Sequence, residues 1–235
     1  MSHPSQEWKD KMRGYYQARL SSQRLKRCYE IAPPRVQQYL EAEIAYVLQK
    51  IRPGNRVLEL GCGYGRVLQR LVAKAGFVFG IDNSCDSLIL ACEELSEVSN
   101  CFLAAMNAVQ LGFQDESFDL TVCIQNGISA FHVEPGDLIR ESLRVTKQGG
   151  TVLFSSYSDS FWNDRLEWFQ RQADAGLVGE IDYEKTGHGV IVCKDGFTAT
   201  TLRRPQFFSY TSGLGVRTKF VEVDKSSLFC EIARV

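Results

Sequence analysis

The stretch Val57-Leu58-Glu59-Leu60-Gly61-Cys62-Gly63-Tyr64-Gly65-Arg66 decides how the rest of the chain reads. A short apolar run, Arg56 to Leu60, ends in three alternating glycines, and helical spacing follows from about Arg66 to Ala75. Glycine permits positive φ and lets backbone approach a ligand with no Cβ in the way. The pattern therefore reads as a buried strand turning into a helix around a bound group. At the end of the next strand, Phe77 to Ile81, stands Asp82. A carboxylate there can accept hydrogen bonds from both hydroxyls of a ribose.

Outward from this unit, strand and helix signals alternate. Pro34 to Ile51 carries apolar residues at helical spacing and stops before Arg52-Pro53-Gly54. Cys85 to Leu95 reads as a helix, Cys101 to Ala105 and Phe118 to Ile124 as strands, Pro135 to Val145 as a helix and Thr151 to Ser155 as a fifth strand. Such alternation predicts an α/β, doubly wound, Rossmann-like sheet that is mostly parallel and covered on both faces. Beyond Tyr157 comes an aromatic helical stretch with Phe161, Trp162, Leu166, Trp168 and Phe169. Val190 to Cys193 and Phe197 to Thr201 flank Lys194-Asp195-Gly196, a hairpin signal. Thr218 to Val223 and Ser227 to Ala233 close the chain around Asp224-Lys225, which predicts seven strands with the last antiparallel.

With 235 residues and 44% hydrophobic content, one domain with one sizeable core is expected. Charged residues make up 23% and the net charge is -1, so no global basic field is available for nucleic acid or an anionic membrane. A small acceptor or a protein fits better. The basic residues Lys9, Lys11, Arg13, Arg19, Arg24, Lys26 and Arg27 are interleaved or flanked by Glu7, Asp10 and Glu30, and read as a solvated helix face. No apolar secretory core and no run of roughly 18 apolar residues is present, so a cytoplasmic protein is expected. The eight cysteines (Cys28, Cys62, Cys85, Cys92, Cys101, Cys123, Cys193, Cys230) form no C-x-x-C pair. They argue against zinc and read as small buried hydrophobes in a reducing compartment.

A dinucleotide fingerprint needs G-x-G-x-x-G, whereas this spacing is G-x-G-x-G, with Arg66 at the position of the third glycine. From about Val57 to Ser155 the chain resembles the class I S-adenosylmethionine-dependent methyltransferases in their small-molecule branch. Glu59, Gly61, Gly63 and Gly65 match the family's first motif, E-x-G-x-G-x-G. The resemblance implies S-adenosylmethionine as cofactor, with the glycine loop, Cys62 included, cradling its methionine part and Glu59 bracing the loop and the methionine amino group. It implies Asp82 at the ribose, Asn83 beside the adenine, and Met106-Asn107-Ala108 in place of the usual G-D-A. Asn107 would accept from the adenine amino group through an amide oxygen. Gln125 and Asn126, with Gly127, would contact the methionine amino group and line the acceptor.

The same resemblance makes residues 1–33 a helical lid, 34–157 the cofactor-binding core, 158–215 a small acceptor-side insert after the fifth strand and 216–235 the closing strands. In the lid a hydroxyl of Tyr15 or Tyr16 would reach the methionine carboxylate, or else pack a helix. His132 is the candidate base, or an ordinary loop histidine. His188 reads as a turn residue and His3 as part of a tail. The aromatics of the insert enclose an apolar or cationic acceptor, or simply pack a core. The reaction implied is in-line displacement of an activated methyl toward a small molecule, with a base needed only for a protonated acceptor. Nucleic acid is disfavoured by the lack of an Asn/Asp-Pro-Pro-aromatic sequence after the fourth strand, and a monomer or homodimer is expected. A non-catalytic regulatory module that holds the cofactor, an RNA or protein methyltransferase, and a nicotinamide oxidoreductase are the competing readings.

Overall fold

The computed structural model describes residues 14–235. Its centre is β1 (Arg56–Leu60), paired in parallel with β2 (Phe77–Asp82) on one side and β4 (Phe118–Cys123) on the other. With β3 (Cys101–Ala105), β5 (Thr146–Tyr157), β8 (Val216–Val223) and β9 (Ser227–Arg234), the seven-stranded order is β3-β2-β1-β4-β5-β9-β8. Only β9 runs against the rest, antiparallel to both β5 and β8. The expected fold, a mostly parallel seven-stranded sheet whose last strand is antiparallel, is the one observed.

Side chains of β1 alternate between two cores, as the period of two requires. Leu58 and Leu60 join Phe118, Phe154 and Ile139 on one face. Val57 joins Val78, Val122, Leu153, Ile44 and Val47 on the other. Because both faces are covered, the central strands read as continuous apolar runs. Helix α3 (Pro34–Lys50) buries Val36, Tyr39, Leu40, Glu43, Ile44 and Val47 along one stripe, and its first-turn proline needs no helical N–H partner. Ahead of it, α1 (Tyr15–Arg19) and α2 (Ser22–Glu30) cross the carboxyl end of the sheet. The α2 helix is fastened to α5 (Cys85–Glu94), where Lys26 pairs with Glu94 at 2.5 Å and the Ser22 N–H donates to Ser87 Oγ at 2.9 Å.

Several elements differ from expectation. The helix expected from Arg66 is regular only over α4 (Leu68–Leu71), its flanks being closed by tighter turns such as Arg70 N–H to Val67 O. The fifth strand extends at both ends, with a register irregularity against β4 between Phe118 and Leu120. Helix α6 (Gly127–Ala130) precedes the expected α7 (Pro135–Val145). Cys85 and Cys92 are exposed on α5, against the buried reading of the cysteines, while Cys28, Cys62, Cys123, Cys193 and Cys230 are buried.

After β5, a 3-10 turn (Asp159–Phe161), α8 (Trp162–Asp174) and the antiparallel pair β6 (Val190–Val192) and β7 (Thr198–Thr200) form the insert, followed by α9 (Arg204–Thr211). Arg165, 1% exposed, organises it. The guanidinium donates to Gly189 O at 3.1 Å, Thr201 Oγ1 at 2.7 Å and Ala199 O at 2.7 Å, and lies 4.2 Å from the ring of Tyr157. Among the described residues no helix is long and apolar enough to cross a membrane.

Candidate functional site

At the carboxyl ends of β1, β2 and β4, where open α/β sheets hold ligands, the glycine loop opens onto a cavity. Its floor is Glu59, Gly61, Cys62 and Gly63, one wall is Asp82, Asn83 and Ser84, and the other is Ile124, Gln125 and Phe131. Tyr16, Gln17, Leu25 and Tyr29 of the first two helices roof it. Gly61 and Gly63 have φ of 73° and 54°. A Cβ would lie 3.0 Å from the Phe131 ring at Gly61 and 2.9 Å from Leu25 Cδ2 at Gly63, so at these two positions both the turn and the close approach require glycine.

Asp82 does two things at once. Oδ2 accepts the Gly63 N–H at 2.9 Å and Oδ1 accepts the Ser84 N–H at 2.8 Å, so the carboxylate fixes the loop. Each oxygen keeps a second acceptor direction. Burial raises its carboxyl, and the N–H donors of Ser84, Gly63 and Asn83 oppose that rise.

The opposite end is polar and unsatisfied. Glu59 is 4% exposed, its Oε2 has no hydrogen-bond partner, and burial pushes its carboxyl up to about 8 despite the nearby Arg66. Arg66 lies with its guanidinium 4.6 Å from the Tyr29 ring, and Nε and Nη2 lack partners. Gln125 Nε2 is likewise buried without a partner. Buried polar atoms are nearly always bonded, so four orphans on three residues around one cavity mark a place for a polar ligand. An ammonium beside Glu59, a carboxylate beside Arg66 and a sugar diol at Asp82 would satisfy the set. Those are the groups of an adenosyl amino acid, and the residues present fit it.

Of the sequence-predicted residues, Glu59, Gly61, Cys62, Gly63, Asp82, Asn83, Gln125 and Tyr16 line this cavity, and Tyr15, Met106, Asn107, Ala108, Asn126 and His132 do not. Tyr15 is turned toward the insert, its hydroxyl donating to Asp195 Oδ2 at 2.5 Å. Met106 donates its N–H to Asp82 O at 3.1 Å, which sets the end of β3 beside the rim. Asn107 is exposed, and its Oδ1 accepts the Val109 N–H at 3.1 Å. Ala108 belongs to the core, and Asn126 is buried with Oδ1 accepting from Ser156 Oγ at 2.7 Å.

His132, at φ 51°, is exposed, and partial desolvation lowers its pKa. His188 gives its carbonyl to Arg203. Phe161 and Trp168 pack with Tyr39 and Tyr157, while Phe169 and Trp162 belong to the cluster around Phe197. None of these four aromatics lines the cavity. His3, Lys9, Lys11 and Arg13, and with them the start of the 1–33 segment, lie outside the described residues. The other basic residues of that run are engaged: Lys26 with Glu94, Arg27 with Glu30 at 3.1 Å, Arg19 with Asp195 at 3.7 Å, and Arg24 with the carbonyls of Gly176 and Leu177.

Sequence reasoning missed Arg66, Leu25 and Tyr29 as cavity residues. Leu25 and Tyr29 stand four apart in a segment whose charges drew attention away from that spacing.

Comparison with known proteins bears on this geometry. Residues 57–150 match the family model described as a methyltransferase domain. A malonyl-[acyl-carrier protein] O-methyltransferase of Erwinia pyrifoliae is 37% identical over 115 residues, covering 48% of this chain and 42% of that protein. An arsenite methyltransferase of Aquipseudomonas alcaligenes is 29% identical over 171 residues, covering 67% of this chain and 48% of its own length. The chain thus spans about half the length, or less, of the curated relatives it matches. In fold it is similar to a SAM-dependent methyltransferase from Aquifex aeolicus, with a TM-score of 0.61 at 16% identity over 89% of this chain and 98% of that one.

Proposed function

We propose, from the premise that residues 57–150 belong to the class I S-adenosylmethionine-dependent methyltransferase family and take S-adenosylmethionine as cofactor, that the chain methylates a small acceptor by in-line displacement. The observation that carries this reading is the set of orphaned polar atoms on Glu59, Arg66 and Gln125, facing one cavity with Asp82. When bound, the cofactor supplies an activated sulfonium methyl. Asp82 accepts from the ribose hydroxyls with the lone pairs that Gly63 and Ser84 leave free. Arg66 holds the methionine carboxylate, and Glu59 takes the ammonium. Leu25, Ile124 and Phe131 exclude water, which strengthens each of these contacts.

The acceptor reading follows from what else lines the cavity. Its carboxylates are Glu59 and Asp82, both engaged by the cofactor, and the hydroxyls of Tyr16, Tyr29 and Tyr64 are pushed up by burial and stay protonated at neutral pH. Burial raises the Cys62 thiol as well, so among the described residues no lining group is left to remove a proton. The acceptor is therefore one whose nucleophile arrives deprotonated, such as a thiolate or carboxylate. Relatives are named for chemically different acceptors, malonyl-[acyl-carrier protein] and arsenite among them, so the acceptor of this chain is set by its own cavity lining.

A screen of metabolite extract with methyl-labelled cofactor tests the proposal, and label in an anionic small molecule with formation of S-adenosylhomocysteine is expected. Folded protein that binds the cofactor yet forms no S-adenosylhomocysteine would support the regulatory module instead.

A further inference from the structure

Glu43 is a fully buried carboxylate on α3 whose hydrogen-bond donors are all neutral. Its Oε2 accepts the Gln125 N–H at 2.6 Å and the Ser155 hydroxyl at 2.9 Å, and its Oε1 accepts the Ser227 hydroxyl. These donors come from the turn after β4, from β5 and from β9. Burying a carboxylate costs several kcal/mol, and the bonds it makes show what it holds. Gln125 and Asn126 both have positive φ, 57° and 60°. Left-handed backbone is unfavourable at a residue other than glycine, so two in succession must be held from outside. Ser156 bonds to the Asn126 side chain, and Glu43 grips the Gln125 backbone. Strained turns that persist beside a ligand cavity are those the surroundings over-determine, and Gln125 lines this one with a partnerless amide nitrogen.

We propose that Glu43 is a positioning residue for the cofactor: without lining the cavity, its carboxylate holds the left-handed Gln125–Asn126 turn in the shape that presents Gln125 to the ligand. The inference rests on the cofactor reading of the cavity. The ionisable groups that face Glu43 are Tyr39 from its own helix, Cys123 from β4, Tyr157 from β5 and Arg66 from the glycine loop, while β9 offers only Ser227. Arg66 favours the ionised form from a distance. Burial outweighs it and the three donors, and pushes the carboxyl up to about 7. The ionised group accepts through both oxygens, whereas the neutral acid must turn one oxygen into a donor. The grip on Gln125 therefore tightens as pH rises through about 7.

Calorimetric affinity for S-adenosylhomocysteine, measured from about pH 6 to about pH 8.5 beside melting temperatures, tests this on wild type, Glu43→Gln and Ser227→Ala. Wild-type affinity is expected to rise with pH through the Glu43 titration. Glu43→Gln binds roughly tenfold more weakly at the alkaline end and keeps only the part of the rise that belongs to Glu59. Ser227→Ala removes a donor remote from the cavity, so the Glu43 rise moves up by roughly half a pH unit with alkaline affinity unchanged. If Glu43→Gln does not fold, the Ser227→Ala profile decides alone. A wild-type profile in a folded variant overturns the positioning role, and folded wild-type protein that binds no S-adenosylhomocysteine overturns the cofactor reading along with it.

Discussion

Arg66 stands where a dinucleotide-binding turn would carry its third glycine, and its guanidinium stacks on Tyr29 with two nitrogens left without partners. A carboxylate ligand would satisfy both in a charge-assisted pair. Arg66→Gln should therefore weaken S-adenosylhomocysteine roughly 10- to 100-fold while hardly changing affinity for 5'-methylthioadenosine, which lacks the carboxylate. Calorimetry on the two ligands checks this, and equal losses would place the role of Arg66 elsewhere. The sequence made Glu59, Asp82 and the glycines legible because their roles follow from backbone position alone. Arg66 was legible only as a missing glycine, since its direction depends on Tyr29, a residue in another helix. Asn107 shows the opposite limit: its register is readable, but its side-chain oxygen already serves its own turn.

The roof of the cavity is made of short elements that hold one another. Gln17 Nε2 donates to Asn83 O at 2.7 Å, Leu25 sits over Gly63, and Tyr15 bonds to Asp195 in the insert. The rings of Tyr15, Tyr16 and Phe169 surround Phe197, with centroids 5.0, 5.9 and 5.5 Å away. Phe197→Ala should cost about 3–5 kcal/mol at this junction and speed proteolytic cleavage within residues 14–31, while amides of the central strands stay protected from exchange. S-adenosylhomocysteine should slow that cleavage. A cleavage rate equal to wild type would mean that the first two helices are held by other contacts. Long periodic elements such as α3 and α7 were legible from spacing. Helix α9 was not, because Phe207 and Thr211 are its only buried residues and no stripe forms.

For the molecule as a whole, two buried carboxyls govern the response to pH. Glu43 and Glu59 hold protons more tightly folded than unfolded, so the stability linked to them is complete below the usual carboxylate range. It is lost as pH rises through about 7 and about 8. The carboxylates held low by cations or N–H donors, such as Glu141 and Asp119, lose their contribution only in more acid solution. Calorimetric melting should therefore occur roughly 5 °C lower at about pH 8.5 than at about pH 6.5, and S-adenosylmethionine should narrow the gap by giving Glu59 an ammonium. A flat profile would mean that neither carboxyl is as desolvated as its surroundings imply. At this scale the strand count and the reversed last strand were legible, because alternation and the Asp224-Lys225 turn are local signals. The network joining Glu43 to three distant segments was not, since nothing local distinguishes that glutamate from Glu41 on the same helix.

The bolted roof also governs traffic. With Gln17 on Asn83 and Leu25 seated over Gly63, the first two helices cover the glycine loop, and a ligand that enters beneath them must first part these contacts. Capture then keeps time with that parting instead of with diffusion, so the observed rate of uptake is expected to level off at high ligand concentration, and a spent molecule to leave no faster than the contacts open.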